Sequence, residues 1–365
     1  WPMALGPLIL GHNNKKVNTA LMKRLQEGIA FSLPNKLEVE LSEKLINWFP
    51  FGEAIRFGKN GSDVTSAAVR AARAYTNKEH ILCCGYHGWQ DWFIGTTSRN
   101  RGIPNSVKNL THAFAYNDIT DLKFLLSKYS GQVAAIIMEP IGLELPNNNF
   151  LLEVRNIASK NDIVLIFDEC WTGFRIHKKG SYGLFKVAPD LACFGKALGN
   201  GIPISVILGN KDIMNIFEDI FFSFTFGGDT LGMTAANTVL DIIEDEPVIE
   251  YIEEIGKNLN TGIINDLNLS KYISYIGYPG RSSFCFYGDS NDGLLIKSIF
   301  QQEAIKEGIL TAGWHAPSYA HTHKDVERTL DVYKNVFEKI LDGLKENKLS
   351  TLLKGKIVKP VFRKN

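Results

Sequence analysis

This 365-residue chain is organised around the stretch Ile163-Val164-Leu165-Ile166-Phe167-Asp168-Glu169. Five apolar residues bounded by polar ones are typical of a buried strand, which places Asp168 at the strand's carboxyl end. A second short apolar stretch, Leu191-Ala192-Cys193-Phe194, leads through Gly195 to Lys196. Open α/β sheets bind ligands beside these strand ends. A carboxylate and an amine fixed there suit a lysine that forms a Schiff base and an acid that holds a cationic ring nitrogen.

The composition argues against two classes of partner. Forty basic and 39 acidic residues give a net charge of +1, and 45% of the residues are hydrophobic, enough for a sizeable core. No basic block of the kind that follows a phosphate backbone is present, which argues against nucleic acid. No apolar run approaches the roughly 18 residues that cross a bilayer, which argues against a membrane.

The cysteine pattern indicates a cytoplasmic protein without a metal site. An odd number of scattered cysteines, mostly inside apolar runs, is typical of reduced, buried thiols. No CxxC pair is present, and the two histidines of His321-Thr322-His323 have no acid or cysteine cluster beside them, so we expect no metal. The cysteines are Cys83, Cys84, Cys170, Cys193 and Cys285.

Strand-like and helix-like segments alternate through the first two thirds of the chain. This alternation predicts an α/β fold, with a mainly parallel, seven-stranded sheet flanked by crossover helices. We expect one long loop over residues 95–112. Helices are expected at 17–30, 37–49, 64–75, 122–129, 150–160 and 231–243, and strands at 54–57, 81–84, 133–138, 163–167, 191–195, 204–208 and 221–226.

The composition shifts after Glu246-Pro247, so we expect three parts: an N-terminal segment 1–16, a large domain 17–246 and a small α+β domain 247–365. The tail from residue 347 is lysine-rich and reads as a solvated end. The small domain is expected to contain helices near 248–266, 293–307 and 324–346 and strands near 272–276 and 282–287.

Five predicted strand ends carry chemistry-bearing residues, and parallel strands would bring them to one edge of the sheet. Gly61 and Ser62 stand before a predicted helix start whose free amides favour a phosphate, although an ordinary capped helix has the same signature. Tyr86 would stack on an aromatic ring or simply pack, and His87 would be a base, a ligand or a structural residue. The ends are Asn60-Gly61-Ser62, Tyr86-His87, Glu139, Asp168 and Lys196.

The acid and the lysine each have a plainer interpretation as well. A buried carboxylate is costly unless it is paired, but Asp168 would also serve as a helix cap or a salt-bridge partner. Burial would make Lys196 nucleophilic, but a lysine also reaches solvent along its stem. Gly199-Asn200-Gly201 is not a dinucleotide fingerprint because the third glycine is absent.

Together these residues resemble the class III aminotransferases, pyridoxal-phosphate enzymes of fold type I, and most nearly their glutamate-1-semialdehyde aminomutase branch. The resemblance runs nearly from end to end. The matching stretches are Gly6-Pro7-Leu8-Ile9-Leu10-Gly11-His12, Asn60-Gly61-Ser62-Asp63, Tyr86-His87-Gly88, Tyr116-Asn117-Asp118, Glu139-Pro140, Asp168-Glu169, Thr172-Gly173-Phe174-Arg175, Gly195-Lys196, Gly199-Asn200-Gly201-Ile202-Pro203, Thr225-Phe226-Gly227-Gly228 and Ala320-His321-Thr322.

The resemblance implies pyridoxal 5'-phosphate as cofactor and assigns it a set of residues. Lys196 would form the Schiff base and later move the proton between the two carbon centres. Asp168 would pair with the protonated pyridine nitrogen. Gly61 and Ser62 would hold the phosphate, and Tyr86 would stack on the ring.

Other roles implied by the resemblance concern the substrate and a second subunit. Thr225 would reach the phosphate of the neighbouring subunit, so the protein would be a homodimer. Glu144 falls where relatives place a residue that faces the ring hydroxyl or the substrate. Arg281 is the nearest candidate for an anionic substrate group, and His87 is a further candidate for substrate contact.

The departures from the family bear on the reaction. The stretch from Gly88 to Tyr116 is shorter than in the aminomutases and lacks their Gly-Ser-Gly gating loop, and relatives carry a segment ahead of Trp1. Trp171 replaces a glutamine that many members use near the ring, and residues 308–322 contain no arginine for an α-carboxylate.

These features predict a transaminase that moves an amino group from an amino donor to a carbonyl acceptor. The alternatives are a glutamate-1-semialdehyde 2,1-aminomutase-type transfer within one molecule, and a binding or regulatory protein on the same scaffold. Lys196 argues against the last of these, because a protein without catalysis needs no Schiff-base amine.

Overall fold

A computed structural model describes residues 1–267, 272–287 and 292–359. The contacts divide the chain into two compact units. The large unit comprises Asn13–Gly142 and Pro146–Pro247, and the small unit comprises Trp1–His12, Leu143–Leu145 and Val248–Asn365. The domain boundaries expected from the sequence remain predictions. No described helix combines the length and the apolar character that a membrane crossing requires.

The large unit is built on a seven-stranded sheet with the order β1-β7-β6-β5-β4-β2-β3. Four of its six strand pairs are parallel, and only β7 runs against both of its neighbours. The other six strands therefore share one direction, and their carboxyl ends meet at one edge. The strands are β1 (Ala54–Gly58), β2 (His80–Cys84), β3 (Thr111–Ala113), β4 (Val133–Met138), β5 (Val164–Asp168), β6 (Leu191–Phe194) and β7 (Ser205–Gly209).

Helices cover both faces of this sheet, so its central strands are buried on both sides. In β4, Ala135 and Ile137 pack into one core cluster while Ile136 and Met138 pack into the other, as a side-chain period of two requires. The helices are α1 (Lys15–Leu25), α2 (Lys36–Trp48), α3 (Gly61–Thr76), α4 (Asp91–Ile94), α5 (Asn105–Lys108), α6 (Ile119–Lys128), α7 (Phe150–Lys160), α8 (Gly180–Phe185), α9 (Lys211–Asn215) and α10 (Thr230–Asp245).

Two sequence predictions about the sheet are wrong. The stretch Phe221–Phe226 is coil and turn, not a strand, and its aromatic residues Phe221 and Phe226 are 78% and 62% exposed. The seventh strand is instead β3, which begins at Thr111, inside the stretch 95–112 that was expected to be one long loop, and ends at Ala113. Aromatic residues have a high β-propensity, but this propensity does not provide a neighbouring strand to pair with. An edge strand of three residues is too short to show a periodic pattern in the sequence.

The small unit has the predicted α+β composition, with helices packed on a three-stranded antiparallel sheet of order β10-β9-β8. Its core includes Leu259, Phe284, Phe300 and Phe337. The predicted tail from residue 347 contains a short helix, and its last residues, 360–365, lie outside the described range. The elements are α11 (Val248–Asp266), β8 (Ile273–Tyr278), β9 (Arg281–Phe286), α12 (Asp292–Lys306), β10 (Trp314–His315), α13 (His323–Lys345) and α14 (Leu349–Leu352).

A buried histidine ties β10 to the rest of the small unit. His315 is fully buried, with its Nε2 2.9 Å from the hydroxyl of Tyr333 and its Nδ1 3.4 Å from the hydroxyl of Ser282. Burial lowers the pKa of His315 to about 3. The folded protein therefore keeps this imidazole neutral at pH values at which the unfolded chain protonates it.

This histidine is expected to make the fold sensitive to mild acid. Between its folded pKa and the unfolded value of about 6.5, the unfolded state binds the extra proton, so stability falls as the pH falls. From pH 7 to pH 5 His315 should remove about 2 kcal/mol from the free energy of unfolding. Urea titrations at both pH values measure the free energy of unfolding. On going from pH 7 to pH 5, this free energy should fall by about 2 kcal/mol less in His315→Gln than in wild type. The exposed-site variant His12→Gln is the control, and equal acid losses in His315→Gln and wild type would contradict the prediction.

Candidate active site

Asp168 ends β5 with a carboxylate that is 3% exposed and held on both oxygens. Its Oδ2 lies 2.9 Å from Nδ1 of His87, and its Oδ1 accepts a 3.0 Å hydrogen bond from the backbone N–H of Cys170. Burial alone would raise the pKa of Asp168. The hydrogen bond and charge of His87, the charge of Lys196 and the Cys170 amide together hold that pKa below its ordinary value. The site therefore contains a buried carboxylate that stays ionised.

His87 follows β2 and is buried beside this acid. An ionised carboxylate only accepts hydrogen bonds, so Nδ1 of His87 donates. The imidazole lies parallel to the ring of Trp92 and edge-on to Phe93, and its backbone carbonyl accepts a 2.8 Å hydrogen bond from the hydroxyl of Thr65. Within the described residues its buried Nε2 has no hydrogen-bond partner. The structure thus places His87, a candidate for substrate contact, against the carboxylate of Asp168.

Lys196 follows β6 and lies at the same sheet edge. Its backbone is left-handed, with φ of +41°, and it begins a 3₁₀ turn, Lys196–Gly199. The side chain is half-buried, and Nζ lies 5.0 Å from the ring centroid of Trp171. The charge of Lys196 contributes to the lowered pKa of Asp168, so the acid and the amine are close in space although 28 residues apart in sequence. A left-handed backbone is uncommon for a residue other than glycine, asparagine or aspartate.

The start of α3 forms the third part of the site. Asn60 caps the helix together with Asp63, whose carboxylate accepts a 2.7 Å hydrogen bond from the Asn60 amide. The first N–H groups of a helix have no partner within it, and they carry a partial positive charge. A Cβ on Gly61 would lie 2.9 Å from the Cys170 sulfur, so the residue at this position has to be small. Ser62 is buried next to it.

Gly88 brings the chain after His87 against this helix start. A Cβ on Gly88 would lie 2.3 Å from Oγ of Ser62, and the Ser62 hydroxyl accepts a 3.3 Å hydrogen bond from the Trp89 amide. Gly88 also has φ of +107°, a conformation that favours glycine. The segment carrying His87 and the helix start at Ser62 are therefore in direct contact.

Tyr86 offers an aromatic ring near the acid. The side chain is 43% exposed and meets Phe93 edge-to-face at 5.5 Å, and its backbone amide donates a 3.3 Å hydrogen bond to Glu139. Burial, and after it the charge of Asp168, raises the pKa of Tyr86, which places its hydroxyl within the field of that carboxylate. The four strand ends that carry Tyr86, Glu139, Asp168 and Lys196 belong to the parallel part of the sheet.

Three further candidates from the sequence are Thr225, Glu144 and Arg281. Thr225 is exposed in the loop that precedes α10, where the Phe31 amide donates to the Gly228 carbonyl. Glu144, which is exposed, and Arg281, which is half-buried at the start of β9, belong to the small unit. Their roles toward the cofactor or the substrate remain predictions.

Two neighbours of the site received no role from the sequence. Glu169 is buried and braces the following turn, because its carboxylate accepts hydrogen bonds from the amide and hydroxyl of Ser181 and from the hydroxyl of Thr172. Burial raises its pKa. Trp171 lies beside Lys196. The position of Glu169, a second acid after a predicted buried strand, could have indicated its structural importance. No local sequence pattern indicates that Trp171 contacts Lys196.

The arrangement supports one kind of chemistry. It combines an ionised buried acid, an amine, the amino-terminal end of a helix and an exposed aromatic ring at one edge of the sheet. In the described parts of the chain, no three His, Cys, Asp or Glu side chains are grouped to hold a metal ion. Such a site suits a ligand with a cationic ring nitrogen, a group that reacts with amines, and a phosphate.

Solved structures with the same architecture include pyridoxal-phosphate proteins. The FumI protein of Sphingopyxis sp. MTA144, in its internal aldimine form with that cofactor, has a TM-score of 0.88 and 27% identity, covering 97% of this chain and 87% of its own. A glutamate-1-semialdehyde-aminomutase of Pseudomonas aeruginosa PAO1 has a TM-score of 0.81 at 19% identity, covering 93% and 83%, and supports the fold alone. The fold type I architecture is confirmed.

The sequence comparisons identify the family. Residues 3–326 match the model of the aminotransferase class-III family. The chain is 35% identical to glutamate-1-semialdehyde 2,1-aminomutase of Archaeoglobus fulgidus, over 90% of this chain and 85% of that protein. It is 30% identical to 3-aminobutyryl-CoA aminotransferase of Cloacimonas acidaminovorans, over 91% and 82%. The chain therefore belongs to the class-III aminotransferases.

Proposed function

We propose that this protein is a pyridoxal-phosphate-dependent aminotransferase, which takes an amino group from a donor and passes it to a carbonyl acceptor. One observation carries the proposal: an ionised, buried Asp168 and the amine of Lys196 lie within each other's electrostatic influence. Two such groups at a sheet edge, beside the start of α3, match the three reactive parts of this cofactor.

The residues present fit pyridoxal phosphate. When bound, the cofactor supplies an aldehyde that condenses with amines and a ring that accepts an electron pair. Gly61 and Ser62 would hold the phosphate, because the amides there are free of intrahelical bonds and the residue at 61 has to be small. Tyr86 would cover one face of the ring.

Asp168 would pair with the cationic ring nitrogen. Its oxygens already accept hydrogen bonds from His87 and Cys170, and a carboxylate has further lone pairs for another donor. His87 would act through Asp168 as a positioning residue, because its donated hydrogen bond keeps the acid ionised and fixes its orientation. The direct substrate contact expected of His87 from the sequence remains a prediction beside this role.

Lys196 would bond to the cofactor through its amine and, once released, would carry the proton between the two carbon centres. Its left-handed backbone and half-buried stem keep the amine at the sheet edge. A primary amine serves both tasks, because it is a nucleophile when neutral and a proton donor when charged.

The decisive experiment follows the yellow colour of the purified protein. Amino donors added one at a time, without an acceptor, should bleach it and release a carbonyl product, and a carbonyl acceptor should restore it. Lys196→Ala should neither bleach nor turn over, while the exposed-lysine variant Lys211→Ala should behave as wild type. A colourless protein that pyridoxal phosphate does not reconstitute would contradict the proposal.

A second candidate is an aminomutase, which moves nitrogen within one molecule. The relatives named glutamate-1-semialdehyde 2,1-aminomutase, from 35% identity downward, favour it. Conversion of glutamate-1-semialdehyde as sole substrate, with no added acceptor and no released keto product, would select this reaction. Bleaching by several donors with product release would select the aminotransferase.

The phosphate role of Ser62 is tested at Gly88. Gly88→Ala should weaken pyridoxal phosphate binding by roughly tenfold or more, because its Cβ would approach Ser62 Oγ, Cβ and Cα to 2.3, 2.8 and 3.0 Å and no rotamer relieves the backbone contact. Gly102→Ala is the matched control: Gly102 also has positive φ, +92°, but no atom within 4 Å. Equal dissociation constants for the two variants in absorbance titrations would argue against this role.

The protein would work as a homodimer, with Thr225 reaching the phosphate bound by the neighbouring subunit. The surroundings of Thr225 support this. In the sequence it stands between Phe221 and Phe226, whose side chains are exposed, and the Phe31 amide of the segment carrying the exposed Phe31 ring donates a hydrogen bond to Gly228 in the same loop. Exposed aromatic residues grouped in this way are typical of an interface.

Complementation between two variants tests the shared site. Lys196→Ala should be inactive and Thr225→Val impaired. A purified heterodimer of the two would have one site with both residues intact, so it should regain about half of the wild-type activity per dimer. If Thr225 served its own subunit, the heterodimer would show no more activity than its Thr225→Val subunit alone.

The remaining roles rest on the resemblance and on chemistry. Glu144 would face the ring hydroxyl or the substrate, and Arg281 would bind an anionic substrate group. All five cysteines have free thiols, which supports a reducing, cytoplasmic location.

A further inference from the structure

We propose that Trp171 is a positioning residue for Lys196, with an indole face that holds the lysine amine whenever that amine is not bonded to the cofactor. The inference deepens the proposed function and rests on it. It concerns a tryptophan at a position where the resemblance leads one to expect a glutamine.

The contact has the geometry of a cation–π interaction. Nζ of Lys196 lies 5.0 Å from the Trp171 ring centroid, inside the distance of about 6 Å at which such pairs attract. Trp171 is only 7% exposed, so little water screens the contact. Tryptophan is the side chain whose face attracts cations most strongly.

The environment of Trp171 differs from that of a core tryptophan. The guanidinium carbon of Arg175 lies 5.7 Å from the same ring, and Arg175 is 1% exposed. Two cationic side chains, Arg175 and Lys196, therefore lie near the same buried indole ring. Arg175 is enclosed, whereas Lys196 has a flexible stem, so the lysine is the partner that the ring would restrain.

The turn after β5 fixes the indole and the acid together. The amide of Cys170, the residue before Trp171, donates to Asp168, so the backbone that carries the indole is bonded to the carboxylate. This coupling sets the amine's resting place relative to the acid. A lysine on a four-carbon stem otherwise samples many rotamers.

The reaction needs this restraint in only part of its cycle. While Lys196 is bonded to the cofactor, the bond itself holds the amine. After release, the amine has to stay beside the reacting carbon in order to move a proton, and the indole face supplies a resting place there. Losing Trp171 should therefore slow turnover more than it weakens cofactor binding.

The test compares Trp171→Phe, which keeps an aromatic face, with Trp171→Met, which has none. Cofactor-free protein is treated with cyanate, and the rate of carbamoylation at Lys196 is read by peptide mass spectrometry. Trp171→Met should label roughly tenfold faster than wild type, and Trp171→Phe within about threefold of wild type. The same ranking should appear in the holoenzyme after an amino donor has bleached it.

Matched controls separate this effect from general loosening. Lys178 lies 6.0 Å from the ring of Trp48, so Trp48→Met should leave the labelling of Lys196 unchanged. Circular dichroism verifies folding, and Trp171→Tyr replaces Trp171→Phe if the latter misfolds. Equal labelling rates in the aromatic and methionine variants, or a methionine variant like wild type, would overturn the proposal. Failure of pyridoxal phosphate to bind would instead overturn the proposed function, because the cofactor-free labelling does not depend on it.

Discussion

The hydrogen bond between the buried carboxylate of Asp168 and the imidazole of His87 is the interaction on which the site depends. An isolated carboxylate is expelled from such a place or takes up a proton. Here the imidazole, the Cys170 amide and the nearby charge of Lys196 compensate the loss of water and keep the acid ionised. A charge stabilised in this way can meet a cationic ring nitrogen without reorganisation, which is the electrostatic condition for catalysis.

The sheet topology explains why these groups meet. Asp168 ends β5, His87 follows β2 and Lys196 follows β6, and these three strands run in the same direction. The start of α3 follows a fourth strand, β1. Because β7 is antiparallel to both β1 and β6, β1 runs in the same direction as β6. Strand pairing thus brings residues that are far apart in sequence to the same edge of the sheet. The loops that follow the strands determine which side chains lie there.

Much of this could be read from the sequence, for identifiable reasons. The five apolar residues ahead of Asp168 indicate a buried strand. Such a run can be recognised without knowing which strands lie beside it. The aromatic run Phe221–Phe226 misled because propensity says nothing about pairing. The partners of His87 and Trp171 could not be read from the sequence, because His87 contacts an acid 81 residues away and Trp171 contacts a lysine 25 residues away. Local sequence patterns identify candidate side chains, but only the tertiary structure shows which residues they contact.

In the proposed function, Asp168 and Lys196 would contact the same cofactor ring. A crystal structure of the protein grown with pyridoxal phosphate tests this most directly. We expect continuous density from Nζ of Lys196 to the aldehyde carbon, with an Asp168 oxygen within hydrogen-bond distance of the pyridine nitrogen. A cofactor bound through another lysine, or one whose ring nitrogen faces solvent while Asp168 bonds only to His87 and Cys170, would contradict it.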